Sequence, residues 1–100
     1  MKKADSMVEA LFNQIIKEYS GDPDFVQQIT KSQHLWLEMR AADLNTIFIS
    51  KERTAYGGAA TACKCDMLAD AARERIRFLS GWTDGIPEGD VCIGSRKIKR

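Results

Sequence analysis

The chain has 100 residues, 44% of them hydrophobic and 29% charged, with 15 Lys or Arg against 14 Asp or Glu. This length makes one domain with a single modest core, here taken as residues 1–100, and the composition is that of a folded globular protein. A net charge of +1 gives no overall field that favours nucleic acid. No segment approaches the roughly 18 consecutive apolar residues of a membrane span.

Two helical patterns come first in the chain. The first helix is predicted from about Ala4 to Tyr19, because its apolar residues recur at spacings of three and four. They are Val8, Leu11, Phe12, Ile15, Ile16 and Tyr19. A long second helix is predicted from about Pro23 to Lys51, with Asp22 as its N-cap. The turn between the two helices is short, so they should be antiparallel neighbours.

A loop and a third helix complete the predicted elements. The glycine pair Gly57 and Gly58 interrupts the periodicity, which predicts a loop over Glu52 to Thr61. A third helix is predicted from about Ala62 to Leu79, and turn-forming residues make the tail, residues 81–100, irregular. The sequence therefore predicts an all-α fold, an antiparallel three-helix bundle with one long central helix and an irregular C-terminal tail.

Residues for catalysis or metal binding are few. His34 is the single histidine, and no local signature places a serine or cysteine beside it. Cys63 and Cys65 are one residue apart, whereas zinc ligand pairs are separated by two to four. We therefore predict a protein that is not an enzyme and holds no metal and no cofactor.

The three cysteines leave two alternatives. A disulfide from Cys92 to Cys63 or Cys65 would tether the tail to the start of the third helix, and oxidation would then imply export. Three free thiols would instead suit a cytosolic thiol protein.

One face of the long helix is unusually polar. Gln33, Trp36 and Arg40 lie at i, i+3 and i+7, so they share a face. Their hydrogen-bonding groups must be satisfied inside the fold or offered to a partner. The interpretation we favour has Trp36 filling the core while Gln33 and Arg40 satisfy helix ends or loop carbonyls; direct ligand contact is the alternative. Arg40 could also pair locally with Asp43.

These residues carry a resemblance to a known family. From the long helix onward, the residues that match its motifs are Ser32, Gln33, Trp36, Leu37, Arg40, Ala41, Ala42, Gly57, Gly58, Cys65 and Arg73. The first helix adds Ala4, Asp5, Val8 and Phe12. In this order, over residues 4–80, they resemble the LprI-like lysozyme-inhibitor family of small, cysteine-containing bacterial envelope domains. The sequence departs from the family at Phe12, Glu9 and Leu44, where tyrosine, asparagine and cysteine are expected, and it lacks the usual N-terminal cysteines.

The resemblance implies a secreted or periplasmic domain with a protein partner, a lysozyme. Blocking a cleft built around two carboxylates requires a rigid protruding loop with hydrogen-bond donors and a cation. Residues 51–58 have this composition, so Arg53 and Tyr56, beside Gly57 and Gly58, are predicted to lead the contact. Together with Arg73, the polar face of the long helix is then interpreted as an internal brace for this loop.

Two alternatives from other classes stay open. An envelope interaction, immunity or accessory module would use the exposed side of the long helix, and its plainest form is a homodimer. A cytosolic thiol or metal-binding protein is the third class.

Overall fold

The computed structural model describes residues 2–50 and 55–99, and three helices dominate it. The helices are α1 (Lys2–Glu18), α2 (Pro23–Ile47) and α3 (Ala60–Thr83). Two short strands, β1 (Ile86–Pro87) and β2 (Ile98–Lys99), pair in parallel. The predicted all-α class is confirmed, and the molecule is elongated, about 50 Å by 25 Å by 24 Å.

The start of α2 is set by a local sequence signal, whereas its end coincides with a packing contact. Asp22 caps α2 as predicted, since its carboxylate accepts a hydrogen bond from the Phe25 amide at 3.2 Å. At the other end α2 stops at Ile47, short of the predicted Lys51, which lies outside the described residues. The next residue, Phe48, leaves the helix and packs its ring against Tyr56, with ring centroids 5.4 Å apart.

The third helix runs past its predicted end and through Gly81. It continues to Thr83, four residues beyond the predicted Leu79. A Cβ on Gly81 would lie 2.7 Å from the side chain of Arg96. Glycine is therefore needed here for the close approach of the tail, and not as a helix stop.

Contacts between side chains show how the helices run relative to one another. Asp5 meets Arg40 and Tyr19 meets Phe25, so α1 and α2 are antiparallel as predicted. The Phe25 ring lies 5.8 Å from that of Trp82, near the end of α3, so α2 and α3 are antiparallel as well. Consequently α1 and α3 run parallel, and α1 packs most extensively on α3. The buried core residues are Val8, Ile15, Ile29, Ala72, Leu79 and Trp82.

The C-terminal tail docks on the end of α3. Lys97 donates its amide hydrogen to the Gly81 carbonyl at 3.0 Å, and the Trp82 indole donates to the Ser95 hydroxyl at 3.1 Å. Gly85, with φ +92°, turns the chain into β1. Backbone hydrogen bonds hold the tail, which contains the only strands of the described chain.

This docking contradicts one of the two alternatives for the cysteines, a disulfide from Cys92 to Cys63 or Cys65. Cys63, Cys65 and Cys92 are free thiols. The first two lie in the opening turns of α3, whereas Cys92 lies near the other end of that helix, because its carbonyl accepts a hydrogen bond from Arg96, which packs on Gly81. Sixteen helical residues separate positions 65 and 81, a rise of about 24 Å, and cysteines can be bridged only when their Cα atoms are within roughly 7 Å.

Candidate functional site

A buried arginine joins α3 to the polar face of α2. The Nε group of Arg75 donates to the side-chain oxygen of Gln33 at 2.9 Å, and its Nη2 group donates to the Ser32 hydroxyl at 3.0 Å. Gln33 and Arg75 are each only 8% exposed. Burial lowers the pKa of Arg75, yet a guanidinium stays protonated at neutral pH. The contact is thus a charged hydrogen bond between two buried side chains.

Trp36 lies next to this pair and is half-buried. The guanidinium carbon of Arg40 is 4.5 Å from the centre of its ring, and that of Arg75 is 5.7 Å away. Arg40 also donates to the Asp5 carboxylate at 2.7 Å, across to α1. One indole and two guanidinium groups therefore connect all three helices. Arg40 binds Asp5, 35 residues away, and not the local Asp43. Gln33 binds Arg75, so the prediction that Gln33 and Arg40 satisfy helix ends or loop carbonyls was wrong.

This cluster of Gln33, Trp36, Arg40 and Arg75, here called the brace, joins the helices and makes no hydrogen bond or ring contact with the described part of the predicted loop. Its arginine on α3 is also not the one that the sequence indicated. Arg73 is exposed and forms an ion pair with Asp70 on its own helix. Arg75, two residues later, fills the position at the seam with α2. The signal for it was the spacing of three and four that it shares with Ala72 and Leu79, both fully buried. A charged residue on an apolar stripe of this kind needs a buried partner.

A groove of about 550 Å³ opens between α1 and α2 beside the brace. Its lining residues are Asp5, Val8, Glu9, Phe12, Asn13, Thr30, Gln33, His34, Trp36, Leu37 and Arg40. Most of the positions that carry the family resemblance in α1 and α2 thus converge on one surface. The side chains are mixed in character, with aromatic and aliphatic groups between charged and amide groups.

The predicted contact loop is only partly described. Arg53 lies outside the described residues. Tyr56 is 41% exposed, and its hydroxyl accepts a hydrogen bond from the Ser50 amide at 2.9 Å. Gly57 has φ +77°, and a Cβ on Gly57 or Gly58 would meet no atom within 4 Å. The turn over residues 55–59 is therefore open to its surroundings, while the ring of Tyr56 is held in place.

The described residues form neither a metal site nor a membrane span. Within residues 2–50 and 55–99, no group of three or more His, Cys, Asp or Glu side chains is placed to hold a metal ion. None of the described helices is long and apolar enough to cross a membrane.

Fold, brace and groove together define a small all-α domain of three helices. The family model described as "Lysozyme inhibitor LprI" matches residues 1–79, so the chain belongs to the LprI lysozyme-inhibitor family. The resemblance in the sequence is thereby confirmed. No curated protein and no solved structure gives a significant match. Membership of an inhibitor family points to a protein partner and to a role other than catalysis.

Proposed function

We propose that this chain binds a lysozyme and blocks its cleft, and that it is secreted or periplasmic, as its family suggests, with its three cysteines kept as thiols. Two observations support the proposal. The family model covers residues 1–79, and the turn over residues 55–59 is exposed yet attached to the bundle by specific contacts.

The turn has the physical properties of an inhibitory contact. The ring of Tyr56 is fixed by Phe48 and its hydroxyl by the Ser50 amide, so little side-chain entropy is lost when a partner covers it. Tyrosine is enriched among the residues that dominate binding energy. Gly57 and Gly58 carry no side chain, which lets a partner approach the backbone closely. In this proposal Tyr56 leads the contact, and Arg53 supplies the cation for the carboxylates of the cleft.

Electrostatic steering contributes little to this encounter. Many lysozymes are basic, and this chain has a net charge of +1. Without complementary charge, the association rate constant should be in the ordinary range of about 10⁵ to 10⁶ M⁻¹s⁻¹ and depend weakly on salt. Tight inhibition would then require slow dissociation.

A lysis assay tests the proposal directly. The purified chain is mixed with lysozymes from several sources, and the clearing of a bacterial cell-wall suspension is followed at increasing ratios of chain to enzyme. We expect at least one lysozyme to be inhibited, and Tyr56→Ala to weaken inhibition at least tenfold. Val91→Ala is the matched control, because Val91 is 95% exposed on the tail and should leave inhibition unchanged. Undiminished lysis with every lysozyme would refute the proposal.

A second function is favoured by a separate observation, the apolar residues on the outer sides of α2 and α3. Leu35 and Met39, one turn apart on α2, are 52% and 63% exposed. On α3, Phe78 is 48% and Met67 is 40% exposed. We propose as the alternative that the exposed apolar side of α2 serves an envelope interaction, immunity or accessory module, with a homodimer as its plainest form.

Sedimentation equilibrium separates this alternative from a monomeric inhibitor. A homodimer predicts an apparent mass that rises with concentration from 11.2 kDa towards twice that value. Leu35→Ser with Met39→Ser should then return the chain to a monomer, whereas the same exchange at Ile49, which is 76% exposed beyond the end of α2, should not. A constant monomer mass up to millimolar concentration would rule out the homodimer.

A further inference from the structure

The groove between α1 and α2 is separate from the turn that carries the proposed function. We propose that it is a docking site for a basic side chain, lysine or arginine, flanked by apolar residues of a protein partner, with Glu9 as the counter-ion. The inference does not depend on whether that partner is a lysozyme.

The charges that line the groove favour a cation. Four lining residues can ionise, and they are Asp5, Glu9, His34 and Arg40. Asp5 and Arg40 pair with each other at 2.7 Å and cancel. His34 lies 3.7 Å from Glu38, which is outside the groove. Glu9 makes no ion pair within the described chain, so with His34 counted as neutral, as in the net charge of the whole chain, the lining has a net negative charge.

The charge of the groove comes from a single carboxylate, in a chain that is close to neutral overall with a net charge of +1. Docking would move Glu9 from water into the contact, and a buried carboxylate without a partner is costly. An acidic or uncharged segment would leave it in that state. A lysine or arginine from the partner would satisfy it.

The uncharged part of the lining fits the rest of such a segment. Phe12 and Leu37 offer apolar surface for the methylene groups of a long basic side chain, since lysine and arginine place their stems on apolar surface and their charged ends on polar groups. Asn13 and Thr30 lie in the same lining and supply further hydrogen-bond acceptors for an ammonium or guanidinium group. A volume of about 550 Å³ lies within the roughly 300 to 1,000 Å³ of ordinary ligand sites.

Arg40 does not oppose this arrangement. Its guanidinium is turned to Asp5 on one side and to the Trp36 ring on the other, and its side chain is only 16% exposed. The pair with Asp5 is neutral overall. Glu9 is one helical turn from Asp5 on α1, so a cation bound at Glu9 lies near the carboxylate side of that pair.

Three peptides that differ in one side chain provide the test. Acetyl-Leu-Arg-Leu-amide, acetyl-Leu-Gln-Leu-amide and acetyl-Leu-Glu-Leu-amide are titrated into the ¹⁵N-labelled full chain, and shifts of backbone amides and of the Trp36 indole are followed by NMR. We expect the arginine peptide to shift groove residues and to bind about three- to fivefold more tightly than the glutamine peptide, with the glutamate peptide weakest. This preference should shrink at high salt.

Two variants make the result specific to Glu9. Glu9→Gln should remove the preference for arginine, and its exposed position means that the fold should persist, as the thermal midpoint will show. Glu74→Gln is the matched control, because Glu74 is an exposed carboxylate on α3 outside the groove, and the preference should survive there. Equal binding of all three peptides, shifts that map elsewhere, or a preference that persists in Glu9→Gln would each overturn the inference.

The outcome is independent of the lysis assay. If no lysozyme is inhibited but the arginine peptide binds the groove through Glu9, only the proposed function fails. If lysozyme is inhibited but the peptides bind without discrimination, only the groove inference fails.

Discussion

The hydrogen bond between Gln33 and Arg75 should behave as a coupled pair. Gln33→Met keeps the approximate volume but removes the oxygen that accepts from the Arg75 Nε group at 2.9 Å. Both residues are 8% exposed, so water does not easily replace the lost acceptor. Hydrogen bonds to charged groups are worth about 1.5 to 3 kcal/mol, and we expect Gln33→Met to lower the free energy of unfolding by about 2 kcal/mol.

Gln33→Met is one variant of a double-mutant cycle. The same contacts give the effects expected for Arg75→Met and for the double variant. Arg75→Met leaves the Gln33 oxygen unpaired and removes the cation from the rings of Trp36 and Phe78, but it also removes a desolvated charge, so about 1 kcal/mol is expected. The double variant contains neither a buried cation without its acceptor nor a buried amide without its donor. Replacing both polar partners by apolar groups is often nearly neutral, so its loss should be below about 1 kcal/mol. The coupling free energy is then about 2 kcal/mol.

Urea unfolding measures this cycle, with helical circular dichroism and tryptophan fluorescence as two probes of the same transition. With a slope of about 1 to 2 kcal/mol per M, Gln33→Met should lower the midpoint by about 1 to 2 M. Ser32→Ala is the control, because the Ser32 hydroxyl is half-buried and water can replace it on the Arg75 Nη2 group; less than about 0.5 kcal/mol is expected. Strictly additive losses in the double variant would refute the reasoning.

Three further outcomes are expected. Gly85→Ala should loosen the tail and lower the unfolding midpoint, since φ is +92° and a Cβ would lie 2.9 Å from a backbone nitrogen of β2. Gly21→Ala is the control and should change little, because the space around Gly21 is open. Amide hydrogen exchange in β1 and β2 measures the difference between the two variants. The pKa of Glu18 is held below its ordinary value of 4.5 by hydrogen bonds from Gln14 and then Lys97, and by the charge of Lys97, so a carboxyl ¹³C titration should show it rising in both Gln14→Ala and Lys97→Ala. Because this pKa is lowered in the folded state, the stabilisation is present above about pH 4.5 and is lost as the pH falls through the folded value. Thiol titration of the native chain should find three reactive cysteines, two fast and one slower, since Cys63 and Cys92 are exposed and Cys65 is half-buried; a mass two units below the reduced value would contradict this.

The helices could be predicted because their signals are local. Apolar spacing located all three, and Asp22 with Pro23 located the start of α2. The end of α2 could not be found this way, since it depends on Phe48 turning towards Tyr56. The close approach of Arg96 to Gly81, fifteen residues earlier, could not be found either, because a residue whose role is set by a distant contact has no local signature.

The same distinction applies to the site. Gln33, Trp36 and Arg40 were recognisable because three polar groups on one helix face need partners. Their partners were not recognisable, because Asp5 and Arg75 lie 35 and 42 residues away from the side chains they bind. The groove itself exists only through the approach of α1 to α2. The sequence also left a disulfide through Cys92 as one of two alternatives, because cysteine positions alone do not tell at which end of a helix a tail will dock.

The position of Trp82 has a practical consequence for where this domain may be cut. The family model ends at residue 79, but Trp82 is 9% exposed and contacts both Phe25 and Phe78. Its carbonyl also accepts the hydrogen bond of the Tyr19 hydroxyl at 3.0 Å. A fragment that ends at residue 79 would lack the buried Trp82 side chain and the tail that packs on it. The shortest fragment that folds stably should therefore include β2.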